Sequence, residues 1–382
     1  MIRLDRISLR EIHLALKEPF RISSGVESTR RILLLELTDR DGASVWAECV
    51  AGALPNYTPE TIDTAWLAIR EWLAPRLFGR TLPDATGVHA LLAENIRGHN
   101  MAKAALEMGC WGLESVIQRT PLALLLGGTR TEVPTGISLG IQSAPERLVE
   151  RALAALAAGY RKIKIKIQPD QDVAYARAVR AAVGPDVELM ADANAAYSIE
   201  DADHLVQLDD VKLLMLEQPL GADELLQLAE LQRRMTTPLC LDESITDVRR
   251  ARDMIALGSG RIINIKPGRV GGFTASRAIH DLCQAAGVPV WCGGMLESGI
   301  GRAYNVALAS LPNFSLPGDL SPSARYWAAD IVAPEWTMTA SGMVRVPREE
   351  PGLGVRVDVE RIEAITTRTE VLTAPRTMVP VA

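Results

Sequence analysis

The chain is short of the features that mark several large protein classes. It has five cysteines, Cys49, Cys110, Cys240, Cys283 and Cys292, an odd number without a CxxC pair. A disulfide framework is therefore not expected, and the apolar runs around most of these thiols suit burial in a reducing compartment. Positive charge is not in excess. The formal net charge is −6 and the 41 Lys and Arg residues are scattered, so no basic field for nucleic acid exists. No apolar run approaches the ~18 residues of a membrane span. The N-terminal stretch MIRLDRISLREIHL is charged throughout and lacks the apolar core of a signal peptide, so a cytoplasmic location is expected.

What is there is a globular composition, 48% hydrophobic and 23% charged over 382 residues, enough for two domains or one large domain with an appendage. Residues 1–50 read as three strands with Asp41-Gly42 as a hairpin turn between the last two. The Pro/Gly/Ser-rich stretch 17–28 suits a mobile flap, and 58–118 has helical periodicity, so 1–125 is predicted to be an α+β capping domain. From about residue 130 an apolar strand, a polar helix and a Gly-containing turn recur. The predicted strands are 133–141, 161–167, 187–194, 212–219, 237–244, 261–268, 288–295 and 314–319. Eight such units across 126–324 predict a modified (β/α)8 TIM-type barrel. A doubly wound sheet is the alternative, but no GxGxxG follows its first strand. Residues 325–382 are expected to pack back on the cap.

The strand RKIKIKI poses the functional question, because Lys162, Lys164 and Lys166 share one face and Ile163, Ile165 and Ile167 the other. In an antiparallel strand the lysines would simply be in water; in a parallel barrel strand neither face is. Lys162 is expected to escape at the bottom rim, while Lys164 and Lys166 climb toward the mouth and need partners. Partners recur at intervals of 24 to 26 residues, each at a strand end: Asp192 in ADAN, Glu217 in LEQP, Asp242 in LDES and Lys266 in NIKPG. Each alone could be a helix cap. Together they place two lysines four strands apart across the mouth, with three carboxylates between them. Three carboxylates without a neighbouring His or Cys suit a hard divalent cation, Mg2+ with Mn2+ as substitute. The five histidines (His13, His89, His99, His204, His280) lie away from the strand ends, which argues against zinc.

A cation flanked by two lysines suits removal of a proton next to a carboxylate through an enediolate. Lys166 is read as the base. Lys164, two residues before it, offers a neighbouring ammonium that disfavours a charged base, or contacts the carboxylate, or merely neutralises the acidic wall. Asn194, on the face of Asp192, is read as orienting the metal site or Lys164.

At these residues the chain resembles the enolase superfamily and its muconate-lactonizing subgroup. NIKPGRVGG (264–272) and CGGMLESGIGRA (292–303) look like the o-succinylbenzoate synthase / N-succinylamino acid racemase family. The resemblance implies Lys166 and Lys266 as acid/base catalysts, Asp192, Glu217 and Asp242 as Mg2+ ligands, and Ser138 and Met295 as pocket residues. It implies a small-molecule carboxylate substrate with a succinyl or N-acyl arm, without nucleic acid or membrane, and a homo-oligomer. The reactions implied are racemisation of N-succinylamino acids and the dehydration that makes o-succinylbenzoate for menaquinone. Dipeptide epimerase and muconate-type cycloisomerase are the enzyme alternatives, and a non-catalytic binding protein on the same scaffold is the remote one. PGDLS (317–321) departs from the Asp-x-Asp usual in dipeptide epimerases. Arg21, Arg30 and Lys17 are candidates for the distal carboxylate of the arm, and the flap and loop 51–60 for its enclosure.

Overall fold

The architecture comes from a computed structural model that describes residues 1–374. The chain opens with β1 (Leu4–Ile22), β2 (Gly25–Asp39) and β3 (Ser44–Cys49), consecutive antiparallel neighbours whose alternating Ile7, Leu9, Ile12, Leu33, Leu35 and Leu37 are buried. Stretch 17–28, read as a flap, is the arched tip of the β1–β2 hairpin. Pairing there shifts between Ala15 and Phe20 and resumes to Ile22↔Gly25. The helix Asn100–Ile117 packs across this sheet and is buried on nearly every side.

The repeating region forms a curved parallel sheet. Its strands are β5 (Gly136–Leu139), β6 (Lys162–Lys166), β7 (Glu188–Asp192), β8 (Leu216–Glu217), β9 (Leu239–Leu241), β10 (Ile262–Ile265) and β11 (Val290–Cys292), each beside the next. Helices alternate with them and stop where expected, as at Gly258, whose left-handed φ of 70° ends the helix Val248–Leu257. Two predicted strands need correction. The stretch 133–141 is split, because β4 (Glu132–Pro134) leaves the barrel to pair with β13 (Met343–Arg345) and only β5 joins the ring. The predicted eighth strand, 314–319, makes only two isolated bridges, Val290↔Phe314 and Thr135↔Gly318. Pro317 sits between them and has no N–H to give a ladder, so the ring closes on two isolated bridges rather than a strand. After the barrel, β12 (Val332–Ala333) pairs with β14 (Arg356–Val357), and β15 (Thr366–Thr373) returns to pair with β1 in the N-terminal sheet.

Buried carboxylates fasten the N-terminal unit to the barrel at helix N-termini, where unpaired N–H groups collect. Glu107 accepts from the N–H groups of Phe273 (2.7 Å) and Thr274 (2.9 Å) at the start of the helix Phe273–Ala285. Glu48 on β3 accepts from Ser298 Oγ at 2.6 Å and Gly301 N at 3.0 Å, at the start of the helix Gly299–Ala309. All five cysteines are free and buried, and among the described residues no helix is long and apolar enough to cross a membrane.

Candidate active site

Strand register builds the site. Along β6 the isoleucines face the surrounding helices at 0–1% exposure, so the lysines enter the barrel. Lys166 pairs with Asp192 across β6–β7, and Asp192 with Glu217 across β7–β8, which puts the three side chains in one layer at the mouth. Lys166 Nζ donates to Asp192 Oδ2 and to Asn194 Oδ1, both at 2.6 Å. Lys164 Nζ lies 2.5 Å from Asp319 Oδ2, 3.2 Å from Glu217 Oε2 and 3.5 Å from Asp192 Oδ2. Burial opposes the charge of Lys164, but Asp319, Glu217 and Asp192 outweigh it and hold the ammonium well above its ordinary pKa. Lys266 Nζ donates to Asp242 Oδ2 at 2.8 Å and lies 4.4 Å from the centre of the Tyr57 ring. Its path needs Gly293, where a Cβ would come within 2.7 Å of Lys266 Cε and 2.3 Å of Asn264 Oδ1.

Non-glycine residues just beyond the strand ends have left-handed backbone, among them Asn194 (φ 45°), Gln218 (φ 34°) and Leu296 (φ 57°). Such conformations cost about 1–3 kcal/mol each and concentrate at functional sites. Here they re-aim side chains. Asn194 reaches back to Lys166 and donates to Glu243 Oε1 at 3.1 Å, while Gln218 accepts from the Asp242 N–H at 3.0 Å.

The acidic wall is only partly assembled. Asp192 and Glu217 face each other in register, and burial together with the Asp192 charge pushes the Glu217 carboxyl up. Burial also opposes the Asp192 charge, but Lys166 and Lys164 prevail and hold its carboxyl low. Asp242 does not join them. Its Oδ1 accepts from Tyr57 OH at 2.9 Å and from Arg269 Nη1, and its Oδ2 from Lys266. Among the described residues no three acidic, His or Cys side chains converge as they stand on one ion position. Asp242 thus stands apart from the other two carboxylates here, because a buried carboxylate takes the guanidinium and phenol nearest to it. The donor chemistry still suits a hard cation. Two carboxylates whose charges oppose each other stand in register on neighbouring strands, and among the described residues Glu243 Oε2 is buried without a partner.

A cavity of about 320 Å³ opens above this layer, lined by Lys166, Asn194, Lys266 and Met295 together with the hairpin tip and loop 52–58. The tip is fixed to the barrel mouth: Ser23 Oγ donates to Ala193 O at 3.3 Å and to Asn194 O at 3.4 Å. Of the three candidates for the substrate arm, Arg30 lines this cavity. Arg21 lines a separate one beyond the hairpin, and Lys17 donates to Ala324 O at 2.9 Å. Ser138 pairs in register with Lys164 and its Oγ is buried without a partner, but it does not line the cavity. Asn194 bonds Lys166 rather than Lys164. Lys162, expected at the rim, is fully buried over the Trp291 ring, because the barrel floor is closed by that indole.

Sequence reasoning missed Tyr57, Arg269, Asn264, Glu243 and Asp319 as members of the site. Asn264 donates to Glu217 Oε1 at 2.6 Å and lies two residues before Lys266 on one strand, so period-two counting could have found it. Tyr57 comes from a loop and Arg269 from the short helix Pro267–Val270 that follows β10, and neither carried such a signal.

Comparison with known proteins shows the family and the fold. Residues 147–362 match the family model of the enolase C-terminal domain-like fold, and residues 6–127 that of the mandelate racemase / muconate lactonizing enzyme N-terminal domain. The chain is 47% identical over 365 residues to an o-succinylbenzoate synthase of Geobacillus kaustophilus, covering 96% of each. It is 46% identical over 366 residues to an N-succinylamino acid racemase of Amycolatopsis sp., covering 96% of this chain and 98% of the relative. A crystal structure of an enolase superfamily member from Listeria innocua superposes with a TM-score of 0.94 at 36% identity, covering 98% of this chain and 100% of that one.

Proposed function

Because the chain belongs to the mandelate racemase / muconate lactonizing enzyme family, whose members generally depend on a divalent metal, we propose that it removes the proton next to a substrate carboxylate through an enediolate. The reaction is racemisation of N-succinylamino acids, dehydration to o-succinylbenzoate, or both. One observation carries the reading: Lys166 and Lys266, on strands four places apart, line the same cavity.

Asp192, Glu217 and Asp242 would hold the cation, Mg2+ or Mn2+. Bound there, the cation supplies the positive charge that offsets the substrate carboxylate and the second negative charge of the enediolate. The chain's own residues do the rest. In racemisation one lysine takes the α-proton from one face and the other returns a proton to the opposite face. In dehydration Lys166 removes the proton and helps the β-hydroxyl leave, while Lys266 stays on the far side as a cation. Asn194 fixes the Nζ of Lys166, and the Tyr57 ring bounds the approach of Lys266. Arg30, Met295 and the apolar hairpin residues Phe20, Ile22 and Val26 surround the arm and exclude water.

The test is proton NMR of N-succinylamino acids with enzyme and Mg2+ in D2O, with optical rotation followed in parallel. Loss of the α-proton signal together with loss of rotation supports two-base racemisation. Exchange with retained rotation restricts this substrate to one lysine and favours dehydration. If neither signal changes, the pocket assignment fails.

A further inference from the structure

Below the catalytic layer lies a buried row of charge that the proposed reaction does not use. Asp319 follows the bridge that closes the barrel, and its backbone is clamped on both sides. Its N–H donates to Cys292 O at 2.9 Å, and its carbonyl accepts from Arg302 Nη1 at 2.6 Å. Its side chain, 5% exposed as a residue, points at two lysines of one strand. Oδ2 lies 2.5 Å from Lys164 Nζ and Oδ1 3.8 Å from Lys162 Nζ. Lys162 is 0% exposed and has no hydrogen-bond partner among the described residues; its ammonium sits 3.6 Å from the centre of the Trp291 ring. Trp291 also lies 4.9 Å beneath Lys164 and is held by a bond from Nε1 to Cys240 Sγ at 3.2 Å.

A buried ammonium without a full partner is costly and persists only where something compensates it. Here the compensation is an indole face below and a carboxylate above. We infer that Asp319 is the positioning residue of Lys164, and that Lys162 on Trp291 is the counter-charge that holds Asp319 in place. Asp319, at 2.5 Å, draws Lys164 away from a closer approach to Glu217 and Asp192, 3.2 and 3.5 Å away, two of the carboxylates that the proposed reaction assigns to the cation. In taking Glu217 and Asp192 as groups the reaction needs, the inference rests on the proposed function.

The test compares Asp319→Asn with the double variant Lys162→Met/Asp319→Asn. Asp319→Asn is expected to lower turnover of N-succinylamino acids about 10–100-fold with KM little changed, and to lower the melting temperature because Lys162 is stranded. The double variant should regain the melting temperature, having lost the stranded ammonium, and keep the low turnover. If turnover returns with stability, Asp319 is only structural and the inference is overturned. A crystal structure of Asp319→Asn decides independently of substrate. Lys164 Nζ displaced onto Glu217 and Asp192 supports the positioning role, and an unmoved Lys164 overturns it. Wild-type enzyme inert toward N-succinylamino acids would count against the proposed function and leave this crystallographic arm intact.

Discussion

Lys166 and Lys266 are bonded in the same way from opposite sides of the barrel: each gives its ammonium to the carboxylate one strand away, Asp192 at 2.6 Å and Asp242 at 2.8 Å. Each lysine is therefore aimed by a group proposed here as a metal ligand. Disturbing the acidic wall should disturb the bases, and the reverse.

Replacing either lysine should separate the two half-reactions. Lys266→Ala is expected to slow racemisation about 10²–10⁴-fold, the usual contribution of a positioned acid or base. Polarimetry measures the loss directly. A Lys266→Ala enzyme that still racemises at the wild-type rate removes Lys266 from the two-base assignment.

Removal of the metal should abolish turnover. After dialysis against EDTA the rate is expected to fall to background and to return with Mg2+ or Mn2+. In Asp242→Asn the concentration needed for half-activation should rise by at least the 10–100-fold that outer-shell partners of metal sites command. An unchanged titration curve would mean that Asp242 stays with Arg269 and Tyr57 and is no ligand.

Glu107 offers a stability test remote from the chemistry. Glu107→Ala would leave the Phe273 and Thr274 N–H groups, the Thr274 hydroxyl and the Trp111 indole N–H without their acceptor. Each buried unpaired donor costs about 1–3 kcal/mol. Relaxation reduces the sum, so a loss of about 3–5 kcal/mol in chemical denaturation is expected. A loss below about 1 kcal/mol, the usual size of a surface change, would mean that the N-terminal unit is not fastened to the barrel here.

Glu48 should make stability depend on pH. Burial, aided by the nearby Glu297 charge, pushes its carboxyl up to about 7, although Ser298 and Gly301 donate to it. An unfolded Glu titrates at about 4.3. The folded state thus holds the proton more tightly, and the contribution of this group falls as pH rises from about 4.3 to 7 and is level above that. The fall is on the order of 3 kcal/mol. Glu48→Gln should flatten the decline in urea midpoint between pH 5 and pH 8. A variant whose midpoint declines as steeply as the wild type excludes Glu48 as the cause.

The barrel was legible because each βα unit repeats one phase, so a charge at the end of RKIKIKI could be counted forward unit by unit to Lys266. Counting gives the strand and the face but not the contacts. Asp242 carries the same signal as Asp192, yet Arg269 and Tyr57 hold it aside, one from the short helical turn Pro267–Val270 and the other from a loop, and strand periodicity encodes neither approach. Lys162 was misjudged for a related reason. Alternation places it inside the barrel, but whether the floor is open depends on Trp291, five strands along the sheet. The missing eighth strand had its warning in Pro317, which cannot donate to a ladder.

The hairpin tip and the base meet at one short segment. Ser23 holds the carbonyls of Ala193 and Asn194, and the side chain of Asn194 holds Lys166. The part of the chain that roofs the cavity and the group that aims the ammonium beneath it are therefore joined through a single residue, so a change in the seating of the tip and a change in the aim of the base reach each other without passing through the barrel.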